Sequence, residues 1–204
     1  MIRNILFDMG NVLIRFDRDY FITRLGITGP DQALLMQEVF QSVEWVRLDH
    51  GTLREPEALE RICSRLPRHL HEAADKLVSF WDRPILPVDG MEELVRELKG
   101  KGYGLYLLSN ASLRQHDYWP RVPGWECFDG KVISADEKVM KPDTAYYRIA
   151  LERFDLRPEE CFFVDDSPPN VEGAMCCGID GAVFHGDAKK LRRQLRAAGV
   201  DVTE

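Results

Sequence analysis

The chain has 204 residues, 45% hydrophobic and 30% charged, which suffices for one substantial core or for a core carrying a small insert and argues against disorder. With 34 acidic against 27 basic side chains the formal charge is -7, a balance that disfavours nucleic acid and anionic membrane as partners and tolerates divalent cations. Five cysteines in no metal-finger or CxxC spacing predict reduced thiols, and the apolar start is too short for a signal peptide. No run approaches the ~20 apolar residues that span a bilayer, so the expectation is a cytoplasmic chain.

The first element, Ile2 to Asp8, is a continuous apolar run, the habit of a strand buried on both faces. It delivers Asp8 onto the turn Met9-Gly10-Asn11-Val12-Leu13. From there to residue 85 no good strand occurs. Apolar residues instead recur at helical spacing, at Leu35, Val39, Val43 and Val46, at Leu59, Ile62, Cys63 and Leu66, and at Leu77, Phe80 and Trp81. Residues 16–85 therefore read as an all-helical cap inserted after the first strand, and residues 1–15 with 86–204 as the core. Asp89 is expected to cap the next helix, with Glu92 completing a capping box.

Strand and helix patterns then alternate. Met91, Leu94, Val95 and Leu98 share a helical face and precede a strand from Tyr103 to Ser109, and short strands follow at Val132 to Ser134, Cys161 to Asp165 and Gly181 to His185. Between and after them lie the stripes Tyr146, Ile149, Ala150, Phe154 and Leu191, Leu195, Ala198. The dense basic stretch Lys189 to Arg193 sits in the last stripe and reads as a solvated helix face. Strands alternating with helices predict right-handed βαβ units, hence an α/β fold with a Rossmann-like parallel sheet and helices on both faces. An insert on the loop after the first strand would cover the carboxyl ends of the sheet, where such folds bind ligands.

Four segments carry chemistry. Asp8 ends the first strand. Ser109-Asn110 ends the second, where a hydroxyl and the following backbone amides suit phosphate oxygens. Lys141 precedes Pro142, a residue suited to the first helical position, which places an ammonium at the mouth of the sheet. Asp165-Asp166 closes the fourth strand as an adjacent acid pair that repels itself unless a cation or donors compensate. Each alone has an ordinary reading as a turn former, a helix cap or a surface charge. Together, at carboxyl ends of parallel strands, they converge on one edge of the sheet.

In this order, Asp8, Ser109-Asn110, Lys141-Pro142 and Asp165-Asp166, the chain resembles the haloacid dehalogenase-like hydrolase superfamily over nearly its whole length, and its insert resembles that family's first-type helical cap. Phe7 to Val12, Leu108-Ser109-Asn110 with Tyr118-Trp119-Pro120, and Asp165-Asp166 with Asn170 to Ala174 further resemble the branch formed by bacterial alpha-D-glucose-1-phosphate phosphatase and its relatives. The resemblance implies a Mg2+-dependent phosphatase in which Asp8 attacks a phosphate monoester, such as a sugar 1-phosphate, to give an aspartyl-phosphate. It implies Asp8, the Gly10 carbonyl and Asp166 as metal ligands, with Asp165, Asn11 and Asn170 behind them. Ser109, Asn110 and Lys141 would hold the phosphate. The partner expected is a small phosphorylated metabolite.

One position departs from the pattern. Most phosphatases of that superfamily carry a second aspartate where this chain has Gly10, serving as general acid and base. Its absence points to an easy leaving group or to an acid brought by the cap, with Asp17, Asp49 and His50 as candidates. It also keeps open a 2-haloacid dehalogenase, against which the acid pair Asp165-Asp166 argues, and a non-catalytic phosphate- and metal-binding relative.

Overall fold

The computed structural model describes residues 1–203. Five strands, β1 (Asn4–Phe7), β2 (Gly104–Ser109), β3 (Gly130–Ile133), β4 (Cys161–Asp165) and β5 (Asp180–Val183), form one sheet in the order β3-β2-β1-β4-β5. Every pairing is parallel, with Leu6 facing Tyr106 on one side and Phe163 on the other. All five expected strands are present, each within a few residues of its predicted span.

Period-two alternation explains how the sheet is covered. Ile5, Phe7, Leu105, Leu107, Phe162 and Val164 pack on one face, together with the helix α6 (Met91–Gly100) and α11 (Ala188–Ala197) through Leu94, Val95, Leu98, Leu191 and Leu195. Leu6, Leu108, Cys161 and Phe163 point the other way, against α9 (Thr144–Arg153) and α10 (Pro168–Met175). The architecture is thus the α/β sheet with helices on both faces that the alternating pattern predicts.

Between β1 and α6 the chain forms α1 (Arg18–Thr23), α2 (Pro30–Leu35), α3 (Val43–Asp49), α4 (Glu55–Cys63) and α5 (His71–Ser79). Two linkers bound this helical segment and run side by side: Arg15 N donates to Leu86 O at 2.7 Å, Val88 N donates to Leu13 O at 3.0 Å, and Ile14 bridges Pro87. Single-turn helices α7 (Gln115–Tyr118) and α8 (Ser134–Glu137) follow β2 and β3.

Local expectations fail at four places. The stripe Leu35 to Val46 is no single helix: α2 runs into a π-helical turn at Met36–Phe40, and Ser42 then caps α3 by accepting from Trp45 N. Leu35 and Val39 are buried while Val43 and Val46 are 63% and 55% exposed, because the restart rotates the face. Asp89 does not cap α6. Gly90 occupies that position at φ +79°, and Asp89 instead pairs with Arg15, while Glu92 holds Arg96 four residues on. Pro142 is not the first residue of α9, since Asp143 accepts from Ala145 N and starts the helix behind it. Finally, Lys141 lies in the α8–α9 loop, beyond the end of β3.

The helical segment meets the core tightly at Gly51. This residue sits at φ +71°, and a β-carbon there would lie 2.1 Å from the Ala135 carbonyl oxygen. Gly51→Ala is therefore expected to cost about 2–4 kcal/mol, from strain and overpacking together, and to lower the thermal midpoint. An unshifted melt would mean that this turn gives way freely.

Candidate active site

The β1 turn is built by its own backbone. Leu13 N and Ile14 N both donate to Met9 O, and Asn11, at φ +55°, uses the residue type that tolerates left-handed backbone through local polar bonds. Its Oδ1 accepts from Phe16 N at 2.9 Å, and its Nδ2 donates to Asp166 Oδ2 at 2.9 Å. This turn holds Asp8 in place above the sheet, only 8% exposed.

Lys141 is the centre of the site. Its ammonium donates to Asp8 Oδ1 at 2.7 Å, to Asp165 Oδ2 at 2.6 Å and to Leu108 O at 2.8 Å, and it is buried at the carboxyl edge of the sheet. Asn110 fixes the backbone that delivers it, accepting from Lys141 N and donating to Lys141 O, both at 2.9 Å. Burial works to lower the ammonium's pKa, yet Asp8 and Asp165 outweigh it and hold the value above the ordinary one. Burial raises Asp8 to about 7 against the attraction of Lys141, with repulsion from Asp165 added.

The adjacent acids part company. Asp165 is buried and satisfied by Lys141, by Ser167 N at 2.8 Å and by Asn170 Nδ2 at 3.0 Å, so protein donors answer much of the repulsion expected of the pair. Asp166 is half-buried, with Asn11 as its side-chain donor, and burial raises its pKa. Asp8, Asp165 and Asp166 offer carboxylate oxygens within 4.8 Å of one another. An all-oxygen donor set of this kind fits a small hard divalent cation such as Mg2+.

Above Asp8 lies a cavity of about 280 Å³. Asp8, Gly10, Ser109, Asn110, Lys141 and Asn170 line its floor, and the helical segment supplies Phe16, Phe40, Trp45, Val46, Trp81, Arg18 and Asp49, with Tyr118 beside them. The aromatic rings brace one another, with centroids 4.9 Å apart for Phe16 and Trp81, 4.8 Å for Phe40 and Trp45, and 5.1 Å for Trp81 and Tyr118. Beyond Asn110 the amides are already engaged: Ala111 N donates to Ser134 Oγ at 3.0 Å, and the Ser112 amide lies against Asp49. Gly10 has room, since a β-carbon there would come no nearer than 3.9 Å to Phe16, so packing does not dictate the glycine.

Of the three acid–base candidates, Asp17 is exposed and caps α1 through Tyr20 N, and His50 does not line the cavity. Asp49 does. Sequence reading missed Arg18, Ser112 and Ser134, whose spacing relative to the motifs carries no signal, and it counted Trp81 as helix core.

A parallel sheet with a helical segment on its first loop and an aspartate–lysine–aspartate cluster at its carboxyl edge is the frame of one hydrolase class. The chain belongs to the haloacid dehalogenase-like hydrolases, whose family model matches residues 2–178. A sesquiterpene phosphatase of Aspergillus oryzae is 28% identical over 188 residues, 86% of each chain. A D-ribitol-5-phosphate phosphatase of Bacteroides thetaiotaomicron is 27% identical over 191 residues, 84% of this chain and 86% of its own. In fold, the chain matches a haloacid dehalogenase family enzyme of Bacteroides thetaiotaomicron, solved with magnesium and inorganic phosphate, at TM-score 0.70 and 20% identity over 94% of this chain and 99% of that one.

Proposed function

We propose that this protein is a Mg2+-dependent phosphatase that hydrolyses a small phosphate monoester through an aspartyl-phosphate on Asp8. The observation that carries the reading is the buried ammonium of Lys141 bridging Asp8 and Asp165 directly beneath a cavity. An Asp8 oxygen attacks phosphorus in line, the ester P–O bond breaks, and water then cleaves the acyl phosphate. Lys141 offsets charge on phosphate and phosphoenzyme, while the Ser109 hydroxyl and the Asn110 amide bind the remaining oxygens. Asp8, the Gly10 carbonyl and Asp166 would hold the cation, which when bound supplies positive charge to the transferring group; Asp165, Asn11 and Asn170 orient these ligands. The helical segment, residues 16–85, acts as the cap, and the substrate is a small phosphorylated metabolite rather than nucleic acid or membrane lipid.

For the organic group, sequence likeness favours a sugar 1-phosphate. The cavity wall favours a second reading, the phosphate of a compact apolar alcohol. Five aromatic rings line the space beside Arg18, Asp49 and Ser112, and each sugar hydroxyl that faced the rings rather than those polar groups would cost roughly 1–3 kcal/mol for an unmade bond. The name of the Aspergillus oryzae relative supports this second reading.

The test is phosphate release from a panel of isoprenoid and alkyl phosphates, sugar 1-phosphates, pentitol phosphates and nucleotides, with Mg2+ and with chelator. Release is expected with Mg2+ alone, with kcat/KM about tenfold or more higher on apolar esters. Preference for sugar 1-phosphates would restore the first reading. Halide release from a 2-haloacid without Mg2+, or no release from any ester, would remove the phosphatase assignment.

A further inference from the structure

Gly10 leaves the β1 turn without a proton donor, yet an alkoxide leaving from phosphorus requires one. We propose that Asp49, carried by the helical segment, supplies that proton and later accepts one from the attacking water, an inference that rests on the phosphatase reading of Asp8.

Placement carries the argument. Asp8 and Asp49 are the two acids among the residues lining the cavity. The remaining lining groups are poor donors: Lys141 is held charged between two carboxylates, the Tyr118 hydroxyl is buried with its pKa far above the ordinary value, and Arg18 does not release its proton at neutral pH. Asp49 is also fixed. Ser134 Oγ donates to its backbone carbonyl at 2.5 Å and accepts from Ala111 N, so the end of α3 is tied to the loop that leaves Ser109. Two residues on, Gly51 lies against Ala135.

The surroundings suit the role. Burial raises the Asp49 carboxyl to about 8, with the Ser112 amide, Arg18 of α1 and the Trp45 indole pulling the other way. Across the cavity stand Asp8 and Lys141, and His50 is its neighbour in the turn. At neutral pH it therefore arrives protonated. As Asp8 attacks and the ester bond breaks, Asp49 gives its proton to the departing oxygen, releasing an alcohol. Its carboxylate then takes a proton from the water that attacks the phosphoenzyme, releasing phosphate and restoring both acids.

Asp49→Asn keeps the shape and the backbone tie to Ser134. It is to be compared with the wild type and with Asp8→Asn on octyl phosphate, whose alkoxide needs a proton, and on 4-nitrophenyl phosphate, whose leaving group is stable as an anion. With Mg2+ present, kcat/KM on the octyl ester is expected to fall about 10²-fold or more, against about threefold or less on the nitrophenyl ester. The wild-type decline in kcat/KM on the octyl ester above about pH 8 should vanish in the variant. Equal losses on both esters, or none on either, would overturn the assignment while leaving the phosphatase reading intact. A wild type no more active than Asp8→Asn on both esters would overturn that reading and this inference together. Should asparagine upset the fold, Asp49→Ser serves the same comparison, because serine cannot exchange the proton either.

Discussion

Lys141→Met is expected to destabilise the protein by about 3–5 kcal/mol, one of the largest losses available to a single substitution in this chain. The ammonium lies within 2.7 Å of Asp8 and 2.6 Å of Asp165, and its side chain is 1% exposed. Methionine fills much of the volume but leaves two carboxylates facing each other in a site that water reaches poorly. For a domain of this length that loss corresponds to a fall of roughly 6–20 °C in the thermal midpoint. The deficit should depend on pH with a definite sign. Asp8 already titrates higher in the fold than in the unfolded chain, so whatever its protonated form contributes is present in full below its unfolded value near 3.8 and fades as pH rises through about 7. Without Lys141 that folded value rises further. Melts at pH 5 and pH 8 should therefore show the larger deficit at pH 8, and equal deficits would mean that Asp8 and Asp165 do not share the burden.

Asp8→Asn is expected to separate chemistry from folding. The amide keeps the shape and can still accept a hydrogen bond, and Lys141 retains Asp165 and the Leu108 carbonyl. The thermal midpoint should move little. Phosphate release should fall by at least about 10³-fold, because an amide oxygen is no nucleophile toward phosphorus and no other lining carboxylate is held by Lys141. Steady-state assays with Mg2+ on the preferred ester of the panel, beside a melt of the same preparation, check both halves. Residual activity near the wild-type level would displace Asp8 from its role.

The sheet was legible because its inner strands β1, β2 and β4 are largely buried and leave apolar runs, with the short edge strands β3 and β5 marked by a few apolar residues, and the helices of the core because their stripes keep one phase. The segment between β1 and α6 was legible as helical but not in detail. Gln41-Ser42 resets the phase between Val39 and Val43, and periodicity carries no mark of a restart when both sides remain apolar. Asp89 looked like a cap because acid spacing matched, yet a glycine one residue later could take the left-handed backbone that the turn needed and freed the acid for Arg15. In the site, Asp8, Ser109, Lys141, Asp165 and Asp166 could be placed because they stand at or near strand ends, where sequence order fixes which edge they reach. Arg18 and Trp45 depend on how the helical segment folds over that edge and Ser112 on the loop after β2, which no local pattern encodes.

The side-by-side linkers have a consequence of another kind. Residues 15 and 86 are joined by a 2.7 Å hydrogen bond, so the segment between them leaves and rejoins the sheet at nearly one point. A helical segment of different length and sequence could be spliced in there without stretching the strands or moving Asp8. On the phosphatase reading, a chimaera exchanging residues 16–85 would take its choice of organic group, and with Asp49 its proton donor, from the donor chain, while Asp8, Lys141 and the acid pair stay with the host.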